Sequence, residues 1–256
     1  MSIKTAQCRH GIFTYHSEDR FLGTSLRIYG EWSEDEVRMY DVFLKSTDVA
    51  IEVGANIGAL TIPLSRRCSK VFAFEPQPEN HKLLLLNLNN NHIRNVDVFP
   101  YALGAKDEVV KISTLKEIDI EHGVIGDYGG FEIGKGSCLA DQRSLDSMNV
   151  FDTKINFIKM DCEGSELDVL KGAEKLIKRN WPLLYMENDK LGKSEALIDW
   201  LKAHDYYCYW HRPPLYREDN YRRYIDNIFG NSHSINMICF HGIHEVVPGW
   251  MDEGVV

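Results

Sequence analysis

The stretch AIEVGANIGALTIPLSRRCSKVFAFE, residues 50–75, decides the fold of this chain. It joins an apolar strand over residues 51–53, a turn containing Gly54 and Gly58, a helix start and a second strand, VFAFE, that ends at Glu75. The two glycines let the backbone turn where a side chain would obstruct a ligand. Glu75 follows Gly54 at close to the ~20 residues expected between such a loop and a ribose-binding acid. The stretch therefore predicts a βαβ unit that binds a nucleoside.

The turn does not suit a pyrophosphate. Dinucleotide sites need glycine at the second loop position, where this chain has Asn56, and usually at the third, where it has Ala59. Glu52, just before the turn, adds a negative charge that repels phosphate and attracts an ammonium or sulfonium group. These residues favour S-adenosylmethionine, a cationic nucleoside without phosphate. A strand-to-helix turn without a ligand is the alternative, and Glu75 argues against it.

Charge and composition favour a small-molecule partner. The formal net charge is −9 at pH 7, so no general attraction to nucleic acid or to an anionic membrane is available. The longest apolar runs, such as LLLL at 83–86, are far shorter than the ~20 residues that cross a bilayer. The six cysteines are scattered without a C-x-x-C pair, which predicts neither a zinc site nor a disulfide framework. We expect a cytoplasmic protein, and the sequence leaves both a monomer and a homo-oligomer open.

The pattern along the chain predicts a single domain over residues 1–256. Residues 1–45 form an N-terminal preface, with a short strand around Ser25–Tyr29 and a helix from about Ser33 to Leu44 that starts with a capping box. Strands and helices then alternate, which predicts a mostly parallel sheet covered by helices on both faces.

Two later segments depart from that alternation. Residues 115–148 are rich in glycine and show no sustained periodicity, so we expect an insertion or mobile lid over the substrate, with a surface loop as the alternative. Residues 205–256 form a C-terminal segment that we place on the acceptor side.

Several motifs occur in one order along the chain: EVGANIG, FEP at 74–76, YALG at 101–104, LDS at 145–147, IKMDCEGSE at 158–166 and YMEN at 185–188. Together they resemble the FkbM family of S-adenosylmethionine-dependent methyltransferases, and the similarity covers most of residues 30–190. The D-x-E-G-x-E signature, which starts at Asp161, is much rarer than a glycine loop. The sequence departs from the family at Glu52, where aspartate is more frequent, and in its loosely matching C-terminal third.

The resemblance implies a Rossmann-like α/β methyltransferase fold with a seven-stranded sheet whose final strand is antiparallel. It also implies O-methylation of a hydroxyl on a small acceptor such as a sugar, a polyketide or a related metabolite. Carried over residue by residue, it places Glu75 on the ribose. The other cofactor-binding residues that it implies are Glu52, Gly54, Ala55, Asn56 and Gly58 at the methionine end, and Pro76, Tyr101 and Ala102 around the adenine.

Four acids end neighbouring strands: Asp161, Glu163, Glu187 and Asp189. Crowded, buried carboxylates raise one another's pKa and are favoured at functional sites. An alcohol acceptor needs a group that takes its proton. We hypothesise that Asp161 or Glu163 orients cofactor and acceptor, and that the proton acceptor is Glu187 or one of two histidines, His211 and His233.

Other interpretations compete with this one. Asp161, Asn188 and Asp189 could hold Mg²⁺ through oxygen ligands, but the resemblance does not support that, and we predict no metal. A nicotinamide-dependent oxidoreductase is disfavoured by Asn56 and by the lack of a Y-x-x-x-K pair. A non-catalytic nucleoside-binding module is disfavoured by the acidic strand ends. Four aromatic residues could form a wall for a ring substrate, although packing is the more frequent role: Trp210, Tyr216, Tyr221 and Tyr224.

Overall fold

A computed structural model describes residues 2–115, 117, 128, 133–148 and 153–243 of the chain. The strands in this part are β1 (Ile3–Cys8), β2 (Gly11–His16), β3 (Val49–Val53), β4 (Lys70–Phe74), β5 (Val96–Phe99), β6 (Ala102–Leu103), β7 (Glu108–Ile112), β8 (Cys138–Arg143), β9 (Phe157–Met160), β10 (Leu183–Glu187), β11 (Tyr206–His211) and β12 (Asn236–His241). The α-helices are α1 (Leu22–Ile28), α2 (Glu34–Phe43), α3 (Thr61–Ser65), α4 (Pro78–Asn90), α5 (Glu166–Gly172), α6 (Glu174–Asn180) and α7 (Leu191–Ala203).

The main sheet has seven strands in the order β11-β12-β10-β9-β3-β4-β5. The pairings among β3, β4, β5, β9 and β10 are parallel, and β12 runs antiparallel to both of its neighbours. This confirms the predicted α/β fold, including the antiparallel last strand. Strand β3 pairs on one side with β4, the next strand in the sequence, and on its other side with β9, which comes much later. Ligands of such sheets bind at this switch point, beyond the carboxyl ends of the strands.

Helices cover both faces of the sheet, as its central strands require. All five residues of β3 are buried, which is typical of a parallel strand with a core on each side. On one face Ile51 and Ile158 pack with Leu170, Ile177 and other apolar residues of α5, α6 and α7. On the opposite face Ala50 and Phe157 pack with Val37 and Tyr40 of α2. Helix α2 therefore covers the face of the sheet on which the side chains of Ala50 and Phe157 lie.

The preface differs in part from its prediction. Residues 25–29 do not form a strand, because helix α1 covers Leu22–Ile28 and buries Leu22 and Leu26, one helical turn apart. Helix α2 begins where predicted, at Glu34, but the capping box is incomplete. The Ser33 hydroxyl donates to the Glu36 carboxylate at 2.5 Å and caps no backbone N–H. Ahead of these helices, β1 and β2 form an antiparallel hairpin.

The predicted insertion contains a regular element. Strand β8 (Cys138–Arg143) pairs antiparallel with β7 and parallel with β6 in a three-stranded sheet. The expectation of a structureless segment over 115–148 was therefore wrong at its C-terminal end. Strand β8 was missed because its inward side chains, Ala140 and Gln142, are small or polar and give no apolar alternation. The rest of the proposed lid, residues 116, 118–127 and 129–132, lies outside the described residues.

Residues 212–235, which we call the strap, cross back over the preface. Tyr29 is their anchor: its hydroxyl donates to the Asp226 carbonyl at 2.9 Å and accepts from the Ile228 N–H at 2.8 Å. Glu31 accepts from the Tyr221 N–H at 2.7 Å. Tyr216 and Tyr224 of the strap pack against the Tyr29 ring, at 5.4 Å and 6.2 Å between centroids. None of the helices in the described ranges has the length and apolarity to cross a bilayer.

Candidate active site

A cavity of about 340 Å³ opens at the carboxyl ends of the central strands. The lining residues from the turn and the strand ends include Glu52, Gly54, Ala55, Asn56, Glu75, Pro76, Tyr101, Ala102, Lys159, Asp161, Cys162, Glu163, Glu187 and Asp189. Those from the preface and the strap include Asp19, Phe21, Leu22, Trp32, Glu36, Leu215 and His233, and Asn236 at the start of β12 also lines the cavity. Two residues of the predicted site, Gly58 and His211, are not among the lining residues. The cavity thus joins the predicted cofactor turn to the predicted acid cluster.

The glycine turn after β3 is shaped by contacts within the protein. Gly54 has φ +80°, and a Cβ built on it would lie 1.8 Å from the Asp161 carbonyl oxygen. Gly58 has φ +87°, and its Cβ would lie 2.7 Å from the Leu84 side chain of α4. Asn56 also has a positive φ, of 49°. Both glycines are therefore required by close packing against the rest of the protein, which is a different reason from the ligand clearance expected from the sequence.

Glu75 fixes the shape of the turn. One carboxylate oxygen accepts from the Asn56 N–H at 2.7 Å and the other from the Gln77 N–H at 2.8 Å. The residue is 1% exposed, and this burial raises its pKa to about 7 although the backbone donors act in the opposite direction. Each carboxylate oxygen has a second lone pair. The side chain can therefore still accept hydrogen bonds from the hydroxyls of a ribose in the cavity.

Glu52 is a second buried acid in the cavity wall. Its Oε2 atom has no hydrogen-bond partner in the described part of the chain. Burial raises the pKa of Glu52 to about 7, while the neighbouring Lys159 acts to lower it. A buried acceptor without a partner costs free energy unless a donor or a cation reaches it. Glu52 therefore suits the positively charged end of a ligand.

The flank of the cavity beside Glu75 is aromatic. Phe74 and Phe99 stack with ring centroids 5.0 Å apart, and Tyr101 continues the stack at 6.3 Å from Phe99. Pro76 and Ala102 lie in the cavity wall next to this stack. An apolar and aromatic surface of this kind suits a planar base.

The acids at the other end of the cavity form a tight group. One carboxylate oxygen from each of Asp161, Glu163 and Glu187 lies within 4.8 Å of the others. The Lys190 ammonium lies 2.7 Å from Glu163 and 2.9 Å from Asp189. These three clustered acids are the residues that could hold a divalent cation. Asn188, considered for Mg²⁺ from the sequence, instead donates to the Met237 sulfur at 3.3 Å.

The acids in this group differ in their partners. The Lys159 ammonium lies 3.3 Å from Asp161, and Lys190 contacts Glu163. No side chain of the described ranges partners the Glu187 Oε2 atom. Burial and then the negative charges of Asp161 and Glu163 raise the pKa of Glu187 well above its usual value. Glu187 therefore holds its proton more strongly than an exposed glutamate does.

The two candidate histidines occupy different positions. His233, on the strap, is exposed at the cavity edge, and its Nδ1 lies 3.0 Å from the Asn231 carbonyl oxygen. His211 lies away from the cavity, with its Nδ1 2.8 Å from the Tyr185 hydroxyl, and burial lowers its pKa to about 4. Asn236, which does line the cavity, donates to that hydroxyl at 2.8 Å. Among the described residues, a hydrogen-bond path from His211 to the cavity runs through Tyr185 and Asn236.

The sequence interpretation missed several lining residues. Lys159 lines the cavity and is 2% exposed. The sequence feature that could have identified it is a charged residue inside the apolar run of β9. Phe21 and Trp32 of the preface also line the cavity, although nothing in their local sequence distinguishes them from core residues. The aromatic residues considered as a substrate wall are not among the lining residues. Two of them, Tyr216 and Tyr224, hold the strap on the preface instead.

This sheet order, with a nucleoside turn after the first central strand and acids at the switch point, defines the Rossmann-like methyltransferase class. The precorrin-6y C5,15-methyltransferase of Geobacter metallireducens GS-15 has the same fold, with TM-score 0.50 and 12% identity over 81% of this chain and 88% of that one. The methyltransferase FkbM of Methylobacillus flagellatus KT aligns with TM-score 0.49 and 21% identity over 76% of this chain and 44% of that one.

The chain belongs to the FkbM methyltransferase family, because the Methyltransferase FkbM domain matches residues 52–208. Its cofactor is S-adenosylmethionine, and the buried carboxylates of Glu52 and Glu75 fit the cationic and ribose parts of that molecule. Methyltransferase 1 of Beauveria bassiana (strain ARSEF 2860) is 24% identical over 153 residues, which are 52% of this chain and 60% of that protein. The 23S rRNA (uracil(1939)-C(5))-methyltransferase RlmD of Legionella pneumophila (strain Lens) is 23% identical over 103 residues, 40% of this chain and 22% of that protein.

Proposed function

We propose that this chain is an S-adenosylmethionine-dependent O-methyltransferase whose acceptor is a hydroxyl of a sugar or secondary metabolite. The observation that carries the proposal is the clustering of Asp161, Glu163 and Glu187 in the same cavity as the cofactor turn. We further propose that residues 1–256 act as one methyltransferase domain, with the preface and residues 205–243 of the C-terminal segment on the acceptor side; residues 244–256 lie outside the described residues.

The cofactor-binding roles follow from the lining of the cavity. Glu75 accepts from the ribose hydroxyls. Glu52 and the backbone of residues 54–56 hold the methionine end, and Gly58 supports this turn from below through its contact with α4. The adenine lies against the remaining residues of this half: Pro76, Tyr101 and Ala102.

The acidic end of the cavity supports a small, hydroxylated acceptor. Ionised carboxylates are acceptors only, and the hydroxyls of a sugar or polyol offer the donors that they lack. Asp161, Glu163 and Glu187 would repel the phosphates of a nucleic acid, as would the net charge of −9. A small-molecule acceptor therefore fits this chain better than RNA does, although one of its relatives is named as an rRNA methyltransferase.

The residues of the acid group divide the chemical work. When bound, S-adenosylmethionine supplies a methyl group on a positively charged sulfur. Asp161 and Glu163, each next to a lysine, orient the acceptor hydroxyl. Glu187 is the proposed base: burial and the negative charges of Asp161 and Glu163 raise its pKa, and once it has lost its own proton its carboxylate accepts the proton of the hydroxyl. Correct placement of the reacting groups can contribute ~7–11 kcal/mol to lowering the barrier in ideal cases.

Calorimetry and a transfer assay test the proposal together. Purified protein is titrated with S-adenosylhomocysteine and, separately, with NADH. It is then incubated with methyl-labelled S-adenosylmethionine and a panel of sugars, polyols, polyketides, amines and RNA oligonucleotides. We expect binding of the first ligand only, and label in a methyl ether of a hydroxylated compound.

Each contrary result has a separate meaning. Tighter binding of NADH would favour an oxidoreductase, and binding without transfer to any acceptor would favour a non-catalytic module. Label found only in RNA or in amines would contradict the proposed acceptor. Unchanged turnover in both Glu163→Gln and Glu187→Gln, with the fold intact, would contradict the assignment of roles.

A further inference from the structure

Lys159 has no part in the mechanism above beyond its contact with Asp161, yet its position is unusual. It lies on β9, between β3 and β10 at the centre of the sheet, and is 2% exposed. A buried ammonium loses its hydration, which costs several kcal/mol unless surrounding charges compensate it. A central strand normally carries an apolar residue at such a position. The lysine therefore requires an explanation in its surroundings.

Carboxylates surround the Lys159 ammonium from three elements. Its direct cross-strand neighbours are Glu52 on β3 and Tyr185 on β10. Asp161, just beyond the end of the same strand, lies 3.3 Å from Nζ. Other titratable groups that face this layer are Glu36 and Tyr40 of α2, which covers this face of the sheet, and Glu75 at the end of β4, whose pKa the charge of Glu52 acts to raise.

The charges of this group depend on one another. Burial acts to lower the pKa of Lys159, but the surrounding carboxylates hold it above its usual value. Conversely, burial raises the pKa of Glu52, Lys159 acts to lower it, and Glu36 acts to raise it further. The positive charge of Lys159 therefore compensates part of the negative charge of three acids, Glu36, Glu52 and Asp161. All four residues line the cavity.

We propose that Lys159 is a positioning residue that compensates the charge of Glu52 and holds that carboxylate directed into the cavity, and so sets the affinity for the positively charged methyl donor. The inference rests on the proposed function, because it assumes that a cation binds beside these acids. A purely structural lysine would be replaceable by an apolar side chain of similar length, since buried ion pairs often add little to stability.

Three variants test the inference. Lys159→Met removes the cation at similar length, Lys159→Arg retains it, and Glu36→Gln removes one of the competing negative charges while keeping the shape. Lys70→Met is the matched control, because Lys70 also lies on a strand of the sheet and pairs with an acid, Asp97, outside the cavity lining. The dissociation constant of S-adenosylmethionine is measured by calorimetry from pH 5.5 to 9 for each protein. The ligand's own titration cancels between variants.

A cation binds more tightly once the Glu52 carboxylate beside it has lost its proton, so affinity rises as the pH passes the pKa of Glu52. In Lys159→Met we expect the midpoint of this rise to move up by about one pH unit, with about tenfold weaker binding near pH 6.5. Glu36→Gln should move the midpoint in the opposite direction. Lys159→Arg and Lys70→Met should follow the wild-type profile.

Opposite shifts in Lys159→Met and Glu36→Gln cannot come from a loss of packing. If Lys159→Met does not fold, a downward shift in Glu36→Gln supports the inference and an unchanged midpoint contradicts it. Unchanged midpoints in both variants, with normal binding by the wild type, overturn the inference alone. A wild-type protein that does not bind S-adenosylmethionine at any pH overturns the proposed function instead.

Discussion

The two halves of the cavity are built differently. The cofactor half comes mostly from one stretch, residues 52–76, to which Tyr101 and Ala102 are added. Its shape depends on the backbone: Glu75 binds two main-chain N–H groups, and Gly54 packs on the Asp161 carbonyl oxygen. The acceptor half comes from strand ends, the preface and the strap, and it depends on side-chain charge. In the proposed assignment, cofactor binding therefore depends mainly on a local stretch of this chain, whereas acceptor binding needs segments that are far apart in sequence.

The largest expected effect concerns the charge of the acceptor half. Glu187→Gln keeps the size of the side chain and removes the proposed proton acceptor. We expect kcat to fall by about 10²–10⁴-fold while the dissociation constant of S-adenosylhomocysteine changes by less than about twofold. Steady-state kinetics and calorimetry measure the two quantities, with the exposed Glu195→Gln of α7 as the control. Turnover that survives this change but is lost in His233→Gln would move the base to the strap.

The next largest effect concerns the cofactor half, whose shape depends on the backbone. Glu75→Ala removes the acceptor of two main-chain donors as well as the proposed ribose contact. Because hydrogen bonds to a charged group contribute about 1.5–3 kcal/mol each, we expect affinity for S-adenosylhomocysteine to fall by about 100-fold. Calorimetry provides the measurement, and Asp97→Asn on the neighbouring strand should bind normally. An affinity equal to wild type would mean that this acid does not contribute to the cofactor half.

The two halves should also differ in their effect on the stability of the fold, because clustering the acids raises the free energy of the folded protein. The pKa of Glu187 is raised in the folded protein above its unfolded value of 4.5. The stabilisation linked to its proton is therefore complete below about pH 4.5 and is lost as the pH rises towards the folded pKa. Glu187→Gln should raise the free energy of unfolding by about 1–3 kcal/mol at pH 8 and by much less at pH 5.

Urea unfolding at both pH values measures this difference. Glu195→Gln, which changes an exposed acid, should show no dependence on pH relative to wild type. A Glu187→Gln protein that is destabilised at pH 8 would show that the carboxylate has a stabilising partner in the free enzyme.

The smallest expected effect concerns the strap. Arg217, with a side chain that is 13% exposed, pairs with Asp35 of α2 and with Asp219. Arg217→Met removes a link that is worth about 1 kcal/mol, so we expect KM for the acceptor to rise by about fivefold and cofactor affinity to stay the same. Arg212→Met, which changes an exposed arginine of the same segment, is the control. An equal loss of cofactor affinity would mean that the two halves are not independent.

The same division explains what the sequence could predict. The βαβ unit, the parallel sheet and the spacing from the turn to Glu75 depend on residues close together in the chain, and the structure agrees with them. The strand predicted at 25–29 was wrong because burial of Leu22 and Leu26 favours a helix. Strand β8 was missed because its inward residues are not apolar.

The site was predictable to a similar extent. The D-x-E-G-x-E signature marked the acids, since motifs at strand ends meet at one edge of a parallel sheet. Their partners could not be derived, because Lys159 meets Glu52 only through strand pairing and Glu36 only through helix packing. Which histidine faces the cavity depends on the path of the strap, and no local pattern reports that path.

The anchoring of the strap on Tyr29 has a consequence for synthesis on the ribosome. The Tyr29 hydroxyl bonds to residues that follow it by 197 and 199 positions. At translation rates of roughly 5–20 residues per second, Tyr29 emerges roughly 10–40 seconds before these partners exist. During that interval Tyr29 cannot make these two hydrogen bonds, so the strap can dock on the preface only after synthesis has passed residue 228.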